Sequence, residues 1–167
     1  MRHRTNFPGQ SNFAEQNRVG RQWPFGQGRD QCRGNRKIGG LAVFVGLVRE
    51  MHTRDGLHRE RIEAMTLEHY PGMTEKALQD IAYKAKSRWD LGAVHIIHRV
   101  GHLKPNAQIV FVGVASAHRA AAFSACEFIM DYLKNQAPFW KKEHTTEADY
   151  WVAAKESDKS ALSRWEH

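Results

Sequence analysis

Five cationic side chains of this sequence lie beside the ends of predicted helices and strands, where they could bind an anion. Arg49 follows a buried apolar run, His118 and Arg119 open a predicted helix, Lys134 lies near its end, and Lys141 follows seven residues later. A helix N-terminus attracts anions through its free N–H groups and its dipole. The arginine fork suits phosphate or carboxylate, and burial can change the pKa of a lysine. These residues are the candidates for an anion site.

Each of these cations also has an ordinary structural interpretation. A lysine in the last turn of a helix complements the helix dipole, and an arginine after a strand is often a solvated flank. The aromatic pair Phe139 and Trp140, next to Lys141, could equally pack in the core. Residue types and spacing alone therefore predict an α+β domain with a candidate anion site and leave both interpretations open.

The sequence lacks the spacing of familiar cofactor and metal motifs. No Gly-x-x-x-x-Gly-Lys loop, Gly-x-Gly-x-x-Gly turn, Cys-x-x-Cys pair or His-Glu-x-x-His pair occurs. Of the ten histidines, His95 and His98 are three apart in a predicted strand and should point to opposite faces. Cys126 is interpreted as a small core residue of a helix rather than a nucleophile. We therefore expect no metal and no cofactor.

The net charge of +7 is unevenly spread over the 167 residues. Residues 1–40 hold eight of the 25 Lys and Arg and two of the 18 Asp and Glu, which leaves 17 basic and 16 acidic residues for 41–167. The nearly neutral remainder favours a solvated basic arm over a nucleic-acid-binding protein. No apolar run is long enough to span a bilayer, and no apolar secretory segment opens the chain. The two cysteines fit a reducing cytoplasm.

The hydrophobic pattern predicts an N-terminal stretch followed by one domain. Residues 1–37 show no period of 2 or 3.6 and are predicted to be irregular or disordered, whereas residues 38–167 form the domain. The order strand, strand, helix, strand, strand, helix predicts an α+β fold, with helices packed on a mixed or antiparallel sheet. The predicted strands cover 41–48, 63–70, 94–100 and 109–115; the helices cover 73–89, capped by Thr74, and 116 or 117 to 134; a short strand and a terminal helix fall within 147–165.

Five segments closely resemble the large, catalytic subunit family of molybdopterin synthase. They are TLEHYPGMTEKAL (66–78), IHRVG (97–101), IVFVGVASAHR (109–119), FIMDYLK (128–134) and APFWKKE (137–143). The resemblance keeps one register from residue 38 to residue 165. Several long matches in order are far more specific than any short motif.

The resemblance implies an α/β-hammerhead-like fold and a soluble, cytoplasmic sulfurtransferase. In this family, two large subunits form a central homodimer, and each binds one small ubiquitin-like sulfur-carrier subunit, giving a heterotetramer. The small subunit ends in Gly-Gly and carries a C-terminal thiocarboxylate. The reaction transfers two sulfurs to cyclic pyranopterin monophosphate and gives the dithiolene of molybdopterin, within molybdenum cofactor biosynthesis. The resemblance implies no metal for this step.

The resemblance also assigns roles to the cationic residues. Lys134 and Lys141 match the family's two active-site lysines, and Arg49, His118 and Arg119 match residues expected to bind the substrate phosphate. Parts of that pocket come from the second protomer. Phe139 and Trp140 would line the wall beside Lys141.

The N-terminus departs from the family pattern. The family opens with an extra strand and a short helix, and residues 1–36 show neither, so they are interpreted as unrelated sequence, either an altered reading frame or an unusual extension. A sheet edge would then lie uncovered. The alternative function is a non-catalytic module that binds the ubiquitin-like partner, with its activity impaired by this N-terminus.

Overall fold

The structure is a computed structural model that describes residues 17–19, 37–54, 58–153 and 156–166. Within these ranges the elements, in chain order, are β1 (Asn17–Val19), β2 (Gly40–Leu47), β3 (Met51–Arg54), β4 (His58–His69), α1 (Met73–Arg88), β5 (Leu91–His98), β6 (Gly101–Leu103), β7 (Gln108–Ser116), α2 (Arg119–Gln136), β8 (Phe139–Thr145), β9 (Asp149–Trp151) and α3 (Glu156–Ser163). The fold is α+β.

The first sheet has the strand order β1-β5-β7-β2 and carries the main core. β7 pairs antiparallel with β2 and β5, and β1 pairs parallel with β5, so the sheet is mixed. α1 and α2 pack on one of its faces, because alternate apolar residues of the strands need cover there. Fully buried side chains of this core include Val94, Val112, Leu78, Ile81 and Ile129.

The second sheet is built around the long strand β4. β3 and β6 pair with successive parts of β4, β8 pairs with its residues 62–69, and β9 extends the sheet beyond β8. A smaller core lies against it, formed by Val48, Ile62, Met65, Leu67 and Leu103. Because Val48 directly follows β2, this core ties the end of the first sheet to the second.

The main helices and strands confirm the sequence predictions, with boundaries shifted by a few residues. β2, β4, β5 and β7 fall on the four predicted strands, and α1 and α2 on the two predicted helices. The short strand and helix expected within 147–165 are β9 and α3. β3, β6 and β8 were not predicted, because each is short or polar and is held by pairing with β4.

The predicted N-cap of α1 is wrong. The helix begins after Gly72, whose φ of 83° suits glycine and whose N–H donates to Glu75 Oε2 at 2.6 Å. The Thr74 side chain is buried instead: its hydroxyl accepts from Tyr70 N–H at 3.1 Å and donates to the Pro138 carbonyl at 3.2 Å. Thr74 therefore joins α1 to the turn before β8.

The prediction of an irregular stretch over residues 1–37 falls mostly on residues outside the described ranges. Within it, Asn17–Val19 form β1, which pairs with residues 96–98 of β5. The sheet edge that was expected to lie uncovered is therefore occupied by β1 along these three residues.

Candidate functional site

The connection between α2 and β8 brings Lys134 and Lys141 together. Proline cannot continue a helix, and Ala137, before Pro138, is extended, so α2 ends at Gln136. β8 begins at Phe139, and only Ala137 and Pro138 lie between it and the helix end. The short turn places the last turn of α2, with Lys134, close enough to β8 for its charge to act on Lys141.

Lys134 forms an ion pair with a carboxylate that the sequence did not suggest. Its Nζ lies 3.1 Å from Asp158 Oδ1, and the Lys134 side chain is 46% exposed. Asn135 fixes α3 at this place, because its side-chain amide donates to the Asp158 carbonyl at 2.6 Å and to the Asp131 carbonyl at 2.8 Å. The ion pair is therefore accessible to an anion that could replace Asp158.

Lys141 is partly buried near two cations and two carboxylates. Burial lowers the pKa of its amine most, and the positive charges of Lys134 and Arg49 lower it further, while Asp158 and Glu143 act in the opposite direction. A lysine with a lowered pKa can take up and release a proton closer to neutral pH than an exposed one. The lowered pKa therefore makes Lys141 a candidate proton carrier.

Arg49 lies near Lys141, just beyond the end of β2 in the first sheet. It follows Val48, whose N–H donates to the Ala107 carbonyl at 2.9 Å and whose carbonyl accepts from Asn106 N–H at 2.9 Å. The Asn106 side chain also donates to Glu50 Oε1 at 2.6 Å. These bonds hold the exposed Arg49 close enough to lower the pKa of Lys141.

His118 and Arg119 lie at the opposite end of α2 from Lys134. His118 is the N-cap and Arg119 the first residue of this 18-residue helix, and both side chains are exposed. At 1.5 Å per residue, about 22 Å of helix separates Arg119 from Lys134. One chain therefore brings Arg49, Lys134 and Lys141 together and leaves His118 and Arg119 outside this group.

His98 lies near Lys141, although the sequence predicted only the strand face on which His98 lies. The side chain is 6% exposed, stacks on Phe139 with ring centroids 3.7 Å apart, and its Nδ1 lies 2.9 Å from the Arg99 carbonyl. Burial lowers the pKa of His98 to about 4, opposed by the Arg99 hydrogen bond and assisted by Lys141 and His69. His98 is therefore neutral near pH 7.

Of the two aromatic residues next to Lys141, only Phe139 lies on the same face of β8 as Lys141. Phe139 is partly buried against the main core, and Trp140, on the other face of β8, is 49% exposed, so Trp140 does not line a wall with Lys141.

Cys126 is a buried core residue, as predicted. Burial, with a smaller effect of Glu127, raises the pKa of its thiol to about 11, so it is protonated at neutral pH.

Comparison with known proteins places the chain in a family. A family model described as MoaE protein matches residues 24–136. The molybdopterin synthase catalytic subunit of Escherichia coli K12 is 52% identical over 147 residues, which cover 88% of this chain and 91% of that protein. The chain belongs to the MoaE protein family.

Two solved structures share the fold. The molybdopterin cofactor biosynthesis protein E from Burkholderia multivorans has a TM-score of 0.72 and 46% identity, with 90% of this chain and 96% of that chain covered. The molybdopterin synthase from Staphylococcus aureus has a TM-score of 0.71 and 28% identity, with 81% and 95% covered. The predicted α+β class and family are confirmed.

The similarity begins upstream of the predicted domain start. The family match starts at residue 24, and only 130 of the 167 residues lie from residue 38 onward, fewer than the 147 matched by the Escherichia coli protein. The interpretation of residues 1–36 as wholly unrelated sequence is therefore wrong.

No helix among the described residues is long and apolar enough to cross a membrane.

Proposed function

We propose that this chain is the catalytic subunit of a molybdopterin synthase and transfers sulfur from a small ubiquitin-like subunit to cyclic pyranopterin monophosphate. The observation that carries the proposal is that Lys134 and Arg49 lie close enough to Lys141 for their charges to act on it. Its family membership and the name of its 52% identical relative support the same function. The cationic group suits an anionic pterin phosphate and an anionic thiocarboxylate.

In the proposed reaction the two lysines have different tasks. Lys134, paired to Asp158 at 3.1 Å, would exchange this carboxylate for an anionic group of the substrate or of the carrier tail. Lys141, with its lowered pKa, would move protons as sulfur adds to the pterin carbons. Both amines would stabilise negative charge that develops at the reacting centre.

The proposed partner is the small sulfur-carrier subunit with a C-terminal Gly-Gly thiocarboxylate. The name "catalytic subunit" of the Escherichia coli relative implies a second subunit in that enzyme. A thiocarboxylate tail must reach the two lysines to donate sulfur, and the partly exposed Lys134 gives it access. Two copies of each subunit would form the heterotetramer.

A second copy of this chain would complete the site. His118 and Arg119 lie too far from Lys134 in one protomer to share a substrate with it, so we assign them to the site of the partner subunit. β2 offers a surface for this pairing, with Leu41, Val43 and Leu47 each about half exposed. The start of β2 contacts the N-terminus of α2, since a Cβ on Gly40 would lie 3.8 Å from Arg119 Cα. The homodimer would thus carry both cations into the neighbouring pocket.

We propose that the protein is located in the cytoplasm. The sequence holds two cysteines, and Cys126 is a free, buried thiol. Free thiols without a disulfide framework are typical of reducing compartments.

A single-turnover assay tests the function. The chain, a thiocarboxylated small subunit and cyclic pyranopterin monophosphate are mixed, and molybdopterin is measured as its fluorescent oxidation product. We expect product from the parent chain and a loss of 100-fold or more, roughly the effect of one positioned acid–base group, from Lys134→Ala and Lys141→Ala. Lys142→Ala is the matched control, because the neighbouring Lys142 points to the other face of β8 and pairs with Asp149.

The outcomes separate catalysis from binding. A parent chain that binds the small subunit but makes no product would overturn the enzyme proposal in favour of the binding module. Equal losses in Lys142→Ala and Lys141→Ala would show that general charge near β8, rather than the two active-site lysines, supports turnover.

A further inference from the structure

A second group of chemically active side chains lies on the face of the second sheet opposite Lys141. His102 on β6 and His144 on β8 flank Thr66 on β4, and their ring centroids are 5.6 Å apart. Alternate residues of a strand face opposite sides, so His144 points away from the face that carries Lys141. This group is therefore separate from the sulfur-transfer site.

Both imidazoles present a ring nitrogen to the same oxygen atom. His144 Nε2 lies 2.8 Å from Thr66 Oγ1, and His102 Nδ1 lies 3.5 Å from it. The two nitrogens thus converge on one point between neighbouring strands. The Thr66 hydroxyl occupies this point and lies between the two rings.

Asp149 gives His144 the orientation of a metal ligand. His144 Nδ1 donates to Asp149 Oδ1 at 2.8 Å. An aspartate carboxylate only accepts hydrogen bonds. The hydrogen of this bond therefore lies on His144 Nδ1, and Nε2, on the other side of the ring, faces Thr66. A carboxylate behind a histidine in this way fixes the tautomer and raises the basicity of the ligand nitrogen.

We propose that His102 and His144 form a two-histidine site for a divalent transition-metal ion, with Asp149 as the residue that orients His144. Imidazole nitrogen suits Cu²⁺, Ni²⁺ and Zn²⁺, and Cu²⁺ binds tightest in this series. Water and the Thr66 hydroxyl complete the coordination. The His144 side chain is 26% exposed, which gives water access to the ion.

The neighbouring charges set the strength of this site. Lys142 Nζ lies 2.9 Å from Asp149 Oδ2 and offsets the negative charge of the carboxylate. No group of three or more His, Cys, Asp or Glu that could hold a metal occurs among the described residues, so the protein supplies two strong ligands. The site therefore binds metal more weakly than a four-ligand structural zinc site and exchanges it with solution.

Metal titration of the full chain tests the proposal. Calorimetry with Cu²⁺, Ni²⁺ and Zn²⁺ is run on the parent chain and on His102→Gln and His144→Gln, with His69→Gln as the control for a histidine elsewhere on β4. We expect each site variant to lose one binding event that His69→Gln keeps. Asp149→Asn should weaken this event by roughly tenfold or more. Equal binding by all variants would overturn the site.

Spectroscopy keeps the test independent of variant folding. Electron paramagnetic resonance of the parent chain with one equivalent of Cu²⁺ should show coupling to two imidazole nitrogens. A spectrum without nitrogen coupling contradicts the proposal even if every variant unfolds. Lys134→Ala should bind Cu²⁺ as the parent does, because the two sites are on different faces of β8. In the parent alone, Ni²⁺ or Zn²⁺ should also raise the melting temperature, since the ion links β6 to β8 across β4.

Discussion

Lys134 and Lys141 are of the same residue type but have different surroundings. Lys134 is half exposed and paired with Asp158, whereas Lys141 is partly buried and its pKa is lowered, mainly by that burial. The first arrangement favours binding of an exchangeable anion, and the second favours proton transfer. We therefore assign different parts of the proposed chemistry to two lysines that the sequence alone does not distinguish.

Asp158 should tune the pKa of Lys141. Asp158→Asn removes a negative charge that raises this pKa, so the pKa of Lys141 should fall further below its ordinary value. Lys134→Ala removes a repelling positive charge, and the pKa should rise. Titration of the lysine side-chain signals by NMR measures both shifts, with Asp80→Asn on the exposed side of α1 as the control. Shifts of the same sign in the two variants would contradict this electrostatic account.

His98 should make stability depend on pH. The pKa of His98 is about 4 in the folded chain, below the ordinary histidine value of 6.5, so the unfolded chain binds more protons between these values. The contribution of His98 to the free energy of unfolding is complete above pH 6.5 and is lost as the pH falls to 4, a difference of about 3 kcal/mol. Urea unfolding at pH 7 and at pH 4.5 measures it.

The matched variant for this measurement is His98→Phe, which keeps a ring to stack on Phe139. Other groups also titrate in this range, so the comparison rests on the difference between parent and variant. We expect the variant to lose less stability than the parent at low pH. Equal losses would show that His98 is not responsible.

At the scale of elements, close contact between β2 and α2 positions the start of the helix. Gly39 N–H donates to the Ser116 carbonyl at 3.1 Å, just before the turn to α2. A Cβ on Gly39 would collide with the Ala117 carbonyl oxygen, which is backbone and cannot rotate away. The absence of a side chain at residue 39 therefore allows the chain to approach the turn that presents His118 and Arg119.

Gly39→Ala should therefore destabilise the chain by about 1–3 kcal/mol, the usual cost of overpacking. Gly40→Ala is the matched control, because its added Cβ would make only ordinary contacts, the nearest at 3.8 Å. Thermal unfolding of both variants gives the comparison. A Gly39→Ala chain as stable as Gly40→Ala would mean that the turn moves at little cost, and the tight contact would then have no role in placing α2.

At the scale of the whole molecule, one chain provides only part of the proposed substrate site. α2 separates the lysines near its end from the two cations at its start. A homodimer resolves this separation if each protomer supplies His118 and Arg119 to the other's lysines. The exposed apolar side chains of β2 are the surface on which we expect that pairing.

Mixing two inactive variants tests the shared site. Lys134→Ala and Arg119→Ala chains, each inactive alone, should form mixed dimers in which one site is intact. Random exchange should restore roughly a quarter of the parent activity, because half of the dimers are mixed and one of two sites works. The single-turnover assay of the mixture measures this recovery. No recovery would place both residues in the same protomer's site or remove Arg119 from it.

Val43→Glu should separate the protomers. The Val43 side chain is 50% exposed on β2, and a charge in a buried apolar interface is costly. Light scattering should show a monomer that retains the parent's circular dichroism and lacks activity. Tyr83→Glu, on α1 and 70% exposed, is the control that should leave the dimer intact.

The sequence by itself determined the family, the α+β class and the main helices and strands. Long apolar runs such as 41–48 and 109–115 predict strands, and the amphipathic period of 73–89 and the position of Pro138 define helix boundaries. The expected burial of the run 41–48 is wrong for this chain, because Leu41, Val43 and Leu47 are about half exposed. These features are local, and local patterns can be read along a chain. The short strands β3, β6 and β8 were missed because neighbouring strands, rather than their own residues, hold them in place.

Only the tertiary structure decided which side chains meet. It paired Lys134 with Asp158, placed the neutral His98 beside Phe139, and separated Arg119 from the lysines along α2. It also brought His102 within reach of His144, 42 residues further on, where no sequence spacing suggested a metal. The physical reason is that charge, burial and hydrogen bonding act over a few ångströms in space, and strand pairing sets those distances independently of separation along the chain.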